Sequence, residues 1–444
     1  MSLLDLPALR RSIAAAEPTP FTGRVVRVMG VLMEASLPGV AVGTFCEVRA
    51  RTGGTVMAEV VGFAGSTARL LPFGSMQGIG EGATVMPRAS AARVAVGDAL
   101  LGRVVDATGK PLDGGPALSL NKFVPLDANP PSSMERRRIT DPLPLGIRCL
   151  DSILTVGEGQ RLAVMAGPGV GKSVLLGMLA KTAAADVIVV GLVGERGREV
   201  REFIERDLGK GLAKSVVVVS TSDEPPLLRL RAAMAATSMA EHFRSRGLRV
   251  LLLMDSLSRV AMAQREIGLA AGEPPTTKGY PPSVFAMLPR LVERAGNESG
   301  AGSITAFYTV LAEGDDHSDP VVDAARAALD GHLVLSRKLA EAGHFPAVDV
   351  LASVSRVMSD VVDAAHLKLA RTARDLLSAY RESADLIEVG AYAAGSNARV
   401  DRALKCLPAL TAFLRQDPSD RTALPETLSM LRRAVGAGPE DARG

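Results

Sequence analysis

Apolar positions change their period along the chain, and the changes mark out regions. From 20 to about 92, short β-branched runs at 23–35, 44–50, 55–63, 68–73 and 84–88 are broken by glycine. Even spacing with glycine turns predicts a small barrel or sandwich, and no cluster of catalytic side chains falls within it. From about 93 to 362, apolar strands alternate with helical patterns. The strands are expected at Arg161–Ala166, 187–194, Ser215–Thr221, Arg249–Asp255, 303–310 and 332–336. That alternation predicts an α/β domain, a parallel sheet flanked by helices. From 363 to 444 the period is helical, at 364–380 and 399–414, and the end is polar with Gly and Pro.

Residues 1–19 stand apart, separated by Pro18 and Pro20. Pro7 suits a first helical turn. Leu6, Leu9 and Ile13 then share one face, with Arg10 and Arg11 beside it. Such a segment is either a frayed terminus or an amphipathic helix that docks on a partner or a membrane surface.

Composition removes several function classes. Trp is absent and Phe and Tyr are few, so stacking platforms for single-stranded nucleic acid are scarce. A formal net charge of +3 without a basic stripe also argues against nucleic acid. Cys46, Cys149 and Cys406 form no disulfide framework or zinc spacing, which fits a reducing cytosol. No apolar run approaches the ~20 residues of a bilayer span, and no secretory signal pattern is read.

The sharpest chemical signal is Ala166-Gly-Pro-Gly-Val-Gly-Lys-Ser173 between a strand and a helix. Gly167, Pro168, Gly169, Val170 and Gly171 form a loop whose backbone amides can approach phosphates closely. The helix that follows, with Val174 in its first turn, offers its N-terminal amides to an anion. Lys172 is expected to reach the β- and γ-phosphates of ATP, and Ser173 to ligate Mg²⁺. Ala166 stands where the general pattern has glycine. Val250-Leu-Leu-Leu-Met-Asp255 is a buried strand ending in an acid, so Asp255 is the second expected Mg²⁺ ligand.

Hydrolysis also needs a group that activates water. Glu195 follows an apolar strand, and at the carboxyl end of a sheet strand it can accept a proton from the attacking water. Transition-state charge calls for an arginine, from the same or a neighbouring subunit. Arg196, Arg259 and Arg356 are candidates that spacing alone does not separate.

Together these pieces resemble the catalytic subunits of the rotary ATPase superfamily, over nearly the whole chain from about residue 23. Gly194-Glu-Arg-Gly-Arg-Glu199 is similar to that family's catalytic-glutamate segment. The similarity implies Glu195 as the water-activating residue and Glu199 as a group ordering the Mg²⁺ water shell. Phe345-Pro-Ala-Val-Asp349 resembles the segment whose aromatic residue packs on adenine. Ser353-Val-Ser-Arg356 resembles the segment that supplies an arginine finger across a subunit interface. The implied fold is a RecA-like P-loop core (93–362) with an N-terminal small β-barrel (20–92) and a C-terminal helical domain (363–444).

Within the superfamily the chain is most similar to the type III protein export ATPases. Asp255-Ser-Leu-Ser-Arg259, Ala261-Met-Ala-Gln-Arg-Glu-Ile267 and the run from Gly272 to Phe285 carry that resemblance. Gly390-Ala-Tyr-Ala-Ala-Gly-Ser-Asn397 resembles the flagellar branch more than the injectisome branch. The resemblance implies a homohexameric ATPase, cytoplasmic and peripheral at the inner membrane through the export gate. It implies a stator-like regulator dimer on the N-terminal segment, a central coiled-coil stalk, and work on export chaperones and cargo. A non-catalytic nucleotide-binding ring subunit and an RNA-tracking hexameric motor are the competing readings. Glu195 argues against the first, and the charge and aromatic content against the second.

Overall fold

The computed structural model describes residues 21–51, 53–88, 92–311 and 319–437. The expected N-terminal docking segment, 1–19, lies outside them. The chain folds into two compact units, one of residues up to 93 with 266–274, the other of 94–265 with 275 onward.

In the first unit six strands close into a barrel, settling the choice between barrel and sandwich. Around it run Gly23–Met29, Leu32–Ser36, Thr67–Pro72, Thr55–Ala64, Phe45–Arg49 and Thr84–Arg88, which pairs back to the first. The expected single strand at 23–35 is a hairpin. Gly30 takes φ +54, which glycine adopts at little cost, and Met29 pairs Leu32 across a two-residue turn. Alternate side chains fill the barrel: Val25, Met33, Cys46, Val48, Ala58, Val60, Leu70 and Val85. Residues 266–274 belong to this unit although they lie far from it in sequence. Arg69 Nη1 donates to the Ala271 carbonyl at 2.5 Å, a bond that no local pattern announces.

The second unit holds a nine-stranded sheet. Its main path runs Val354–Ser355, Gly331–Val334, Arg161–Ala166, Ser303–Leu311, Arg249–Asp255, Val187–Glu195, Ser215–Thr221 and Arg103–Asp106. All neighbours on this path are parallel except the first pair. The interior strands are buried on both faces, and so they read as near-continuous apolar runs. Register aligns their carboxyl ends: Ala166 pairs Leu311, and Leu192 pairs Asp255. This edge is where ligands bind in open α/β sheets.

The C-terminal helices are Ala364–Glu388, Ala398–Leu414 and Leu424–Ala434. Asp363 caps the first, accepting from the His366 amide at 2.7 Å, and Asn397 caps the second through the Arg399 amide. The first helix runs well past the expected 380, and the third has no counterpart in the sequence reading. Thr427, Leu431 and Ala434 are its buried face, at helical spacing within a polar stretch. No helix among the described residues is long and apolar enough to cross a membrane.

Candidate active site

The Arg161–Ala166 strand delivers the glycine-rich loop to the carboxyl edge of the sheet, and the helix Lys172–Thr182 leaves from it. Gly169 and Gly171 take φ +76 and +96, the left-handed region that glycine occupies without strain. Gly171 also has no room for a side chain to spare. A Cβ there would lie 3.3 Å from the Phe345 ring. Gly167 and Val170 are buried, and Pro168 and Gly169 are exposed; Val174 is half-buried on the helix.

Lys172 Nζ lies 2.6 Å from Asp255 Oδ1 and 3.4 Å from Glu195 Oε1. Asp255 ends the third strand from the loop's own in one direction and Glu195 the fourth, counting the loop's strand as the first. Parallel register is therefore what joins three residues that are far apart in sequence. The strand between the loop's own and that of Asp255 contributes Thr309, whose Oγ1 donates to the same Asp255 oxygen at 2.7 Å. Asp255 is 3% exposed, and its carboxylate is satisfied on one oxygen by an ammonium and a hydroxyl. The Asp255–Ser256 peptide is cis.

Electrostatics follow from that burial. Burial works against the Lys172 charge, but Asp255 and then Glu195 outweigh it and hold the ammonium above its ordinary value. Burial, with the Asp255 carboxylate, pushes Glu195 up to about 7 against the pull of Lys172. A carboxyl group poised near neutrality is suited to exchange a proton with water.

Ser173, Glu195, Glu199 and Asp255 line one cleft with Leu192, Val200 and Phe203. The oxygens are all hard donors and few, which fits a cation such as Mg²⁺ that arrives largely coordinated by phosphate and water. Phe345 is 38% exposed, with its ring against the last glycine of the loop.

The three arginine candidates separate in the structure. Arg196 points outward, with its side chain 80% exposed and 3.8 Å from Glu199. Arg259 packs its stem beneath Gly194, where an added Cβ would meet it at 2.9 Å, and its Nε is buried without a hydrogen bond. Arg356 follows the edge strand Val354–Ser355 and is exposed. Its Nη2 donates to the Arg326 carbonyl at 3.2 Å and its amide to the Asp330 carbonyl at 3.1 Å. The structure thus brings Lys172, Ser173, Glu195, Glu199 and Asp255 together, sets Phe345 beside the loop, and leaves Arg356 on the sheet's edge.

Thr309 is absent from the sequence candidates. Its strand, Ser303–Leu311, also carries Ser303, Thr305 and Tyr308, so a hydroxyl there is no signal by itself; what selects Thr309 is its place at the carboxyl end of the strand beside that of Asp255.

Three family models match in series. They are the ATP synthase alpha/beta family beta-barrel domain over 25–88, that family's nucleotide-binding domain over 146–355, and the T3SS EscN ATPase C-terminal domain over 362–433. The flagellum-specific ATP synthase of Pseudomonas aeruginosa is 53% identical, over 94% of this chain and 93% of its own. The type 3 secretion system ATPase of Xanthomonas euvesicatoria is 50% identical, over 95% of this chain and 96% of its own. The solved structure of assembled EscN in complex with its central stalk EscO, from enteropathogenic E. coli, superimposes with a TM-score of 0.86 at 42% identity. That match covers 93% of this chain and 100% of the other. With a barrel, a phosphate-loop domain and a helical C-terminal region each matched in turn, the chain belongs to the ATP synthase alpha/beta family, in the group of flagellum-specific ATP synthases and type III secretion ATPases.

Proposed function

We propose that this chain hydrolyses ATP with Mg²⁺ to energise flagellar type III protein export, as one subunit of a homohexameric ring. The observation that carries the reading is the Lys172 ammonium held between Asp255 and Glu195 at the carboxyl edge of the sheet. Phosphates are what that ammonium and the loop amides are shaped to receive. Lys172 takes the β- and γ-phosphates, within a cradle formed by Gly167, Pro168, Gly169, Val170, Gly171, Ser173 and Val174. Ser173 and Asp255 hold Mg²⁺, and Glu199 orders its water shell. The ion supplies charge neutralisation on the phosphates. Glu195 orients the attacking water and accepts its proton. Phe345 packs on adenine.

Arg356 acts in trans on a neighbouring subunit's γ-phosphate, with Arg196 as a further charge near the site. Exposure of Arg356 just past the edge strand Val354–Ser355 supports this reading. The division proposed is 1–19, 20–92, 93–362 and 363–444. The central stalk of the assembled relative supports a stalk in this ring too. We place the regulator dimer on 1–19, and the ring in the cytoplasm, peripheral at the inner membrane through the export gate. There it acts on chaperones and cargo.

The test is a phosphate-release assay on the full chain. Lys172→Ala and Glu195→Gln are each expected to lose turnover by about 10²–10⁴-fold while the fold survives, with a lowered thermal midpoint in Lys172→Ala, which leaves the buried Asp255 carboxylate without its ammonium. Full turnover in Glu195→Gln sinks the mechanism. Restoring motility to a strain that lacks its flagellar ATPase supports the flagellar assignment. Rescue of injectisome secretion alone reassigns it.

A further inference from the structure

The sequence after the helix Ala398–Leu414 turns back on the nucleotide domain at Gln416, which is 4% exposed. A buried amide is costly unless its donors and acceptors are met. Here all are engaged. Gln416 Oε1 accepts from the Arg148 amide at 2.8 Å. Its Nε2 donates to the Gly146 carbonyl at 2.8 Å and to the Asp420 carbonyl at 3.1 Å. With the side chain so fixed, its backbone N–H donates to the Phe345 carbonyl at 2.8 Å.

The surroundings are rigid in the same way. Arg148 Nε donates to the Phe413 carbonyl at 2.8 Å, and its Nη2 bonds the Arg415 carbonyl, so the guanidinium closes the C-terminal end of the helix. Gly146 is held by Asp151, whose carboxylate accepts from the Leu145 and Gly146 amides at 2.7 and 2.8 Å. Thr182, at the far end of the phosphate-loop helix, bonds the Leu145 carbonyl through its hydroxyl. One short segment, 145–148, therefore ties the end of the phosphate-loop helix to the C-terminal helices, and Gln416 extends the tie to Phe345. That ring lies against Gly171 with an exposed face, a flat apolar surface beside the phosphate loop.

We propose that Gln416 is a positioning residue for nucleotide recognition: through the Phe345 backbone it sets the ring that receives the base, and it couples base occupancy to the C-terminal helices. This rests on the reading of Phe345 as the base platform. It differs from a general structural role in what it predicts for ligands that lack a base. Phosphate binding uses the loop and Lys172, which Gln416 does not touch, whereas base stacking uses the ring that it holds.

Calorimetric binding of ADP and of pyrophosphate, each with Mg²⁺, to the full chain separates the two. Gln416→Met keeps the side chain's length and removes its three hydrogen bonds. It is expected to weaken ADP about tenfold, the loss that follows from freeing one well-made hydrogen bond in a buried site, and to leave pyrophosphate unchanged. In turnover, KM for ATP rises with kcat held. Phe345→Ala is expected to lower the ADP-to-pyrophosphate ratio as well, and the double variant to be no worse than Phe345→Ala. Gln416→Glu retains the acceptor for Arg148 and loses both donors. Should Gln416→Met fail to fold, it carries the same expectation. Equal weakening of both ligands, or unchanged ADP binding, overturns the inference and leaves the base platform standing if Phe345→Ala lowers the ratio. If Phe345→Ala leaves that ratio unchanged, the platform reading falls and the inference with it.

Discussion

Two regions of the nucleotide domain handle charge in opposite ways. Around Lys172 the charges are buried and answered within the chain: the Lys172, Glu195 and Asp255 side chains are 15%, 14% and 5% exposed, and each meets another. Around Arg356 the chain runs along an antiparallel edge strand into solvent, and the guanidinium reaches a backbone carbonyl. Burying an arginine without an anion is expensive, so one that must meet phosphate is best kept at the surface until a phosphate arrives. The contrast fits a half-site that is pre-organised and a second half that is presented to another copy.

That contrast can be broken by mixing subunits. Arg356→Ala and Lys172→Ala are each expected to lower phosphate release by about 10³-fold as pure proteins. If Arg356 serves a neighbour, mixing the two variants rebuilds interfaces with an intact loop on one side and an intact arginine on the other, and activity returns in part. No recovery at any ratio places Arg356 outside the reaction. Specific activity of the unmutated chain should also rise with concentration, since a site completed in trans depends on assembly.

The sequence made the in-chain half readable and the edge half ambiguous, for physical reasons. A phosphate loop is local: its glycines answer backbone needs within a single short turn, so Gly169 and Gly171 are legible as they stand. Asp255 and Glu195 are legible because both end apolar strands, and the carboxyl edge of a parallel sheet gathers strand ends. Thr309 and Gln416 are not. Their importance lies in which strand or loop they lie beside, and register across a sheet is not written in any one segment. The same holds for the arginines. Arg196, Arg259 and Arg356 share a residue type and differ in where the fold puts them: Arg196 outward beside Glu199, Arg259 packed under Gly194, and Arg356 exposed just past the edge strand. The glycine turns make the β domain legible but leave barrel and sandwich open, because closure depends on the pairing of Gly23–Met29 with Thr84–Arg88, and the helix Leu424–Ala434 is obscured by polar residues around a narrow buried face.

A smaller effect sharpens the pre-organised half. Thr309→Val keeps the shape of the side chain and removes the donor to Asp255. The carboxylate is then held by Lys172 alone, and Lys172 must release it to reach phosphate. Thermal stability is expected to fall by about 1.5 kcal/mol, the cost of one hydrogen bond to a charged group, and turnover by about tenfold. The same assay run across Mg²⁺ concentrations should show a raised Mg²⁺ requirement in Thr309→Val. Unchanged turnover and an unchanged requirement would mean that Lys172 suffices to orient Asp255.

The smallest effect concerns the support beneath the edge strand, and its handle is pH. Ser355, next to Arg356, donates through Oγ to the Thr155 carbonyl at 2.7 Å. Three residues before Thr155, the Ser152 carbonyl accepts from His366 Nε2 at 2.8 Å, the ring being buried on the first C-terminal helix. Burial holds the His366 imidazole below its ordinary value of 6.5, against the opposing effects of the Ser152 carbonyl and Asp363. The unfolded chain therefore binds a proton on His366 more readily than the folded one. Stability from the neutral ring is complete above about pH 6.5 and is lost as pH falls through that value toward the lower folded one. His366→Gln keeps a donor for Ser152 and cannot titrate. Between about pH 7.5 and about pH 5.5 the thermal midpoint should fall further in the unmutated chain than in His366→Gln. The acid loss should reach the Arg356 side first, so that recovery in the mixed-subunit assay declines on acidification more steeply with His366 than with Gln. Parallel declines in both proteins would locate the acid sensitivity elsewhere and leave the edge strand's support independent of this histidine.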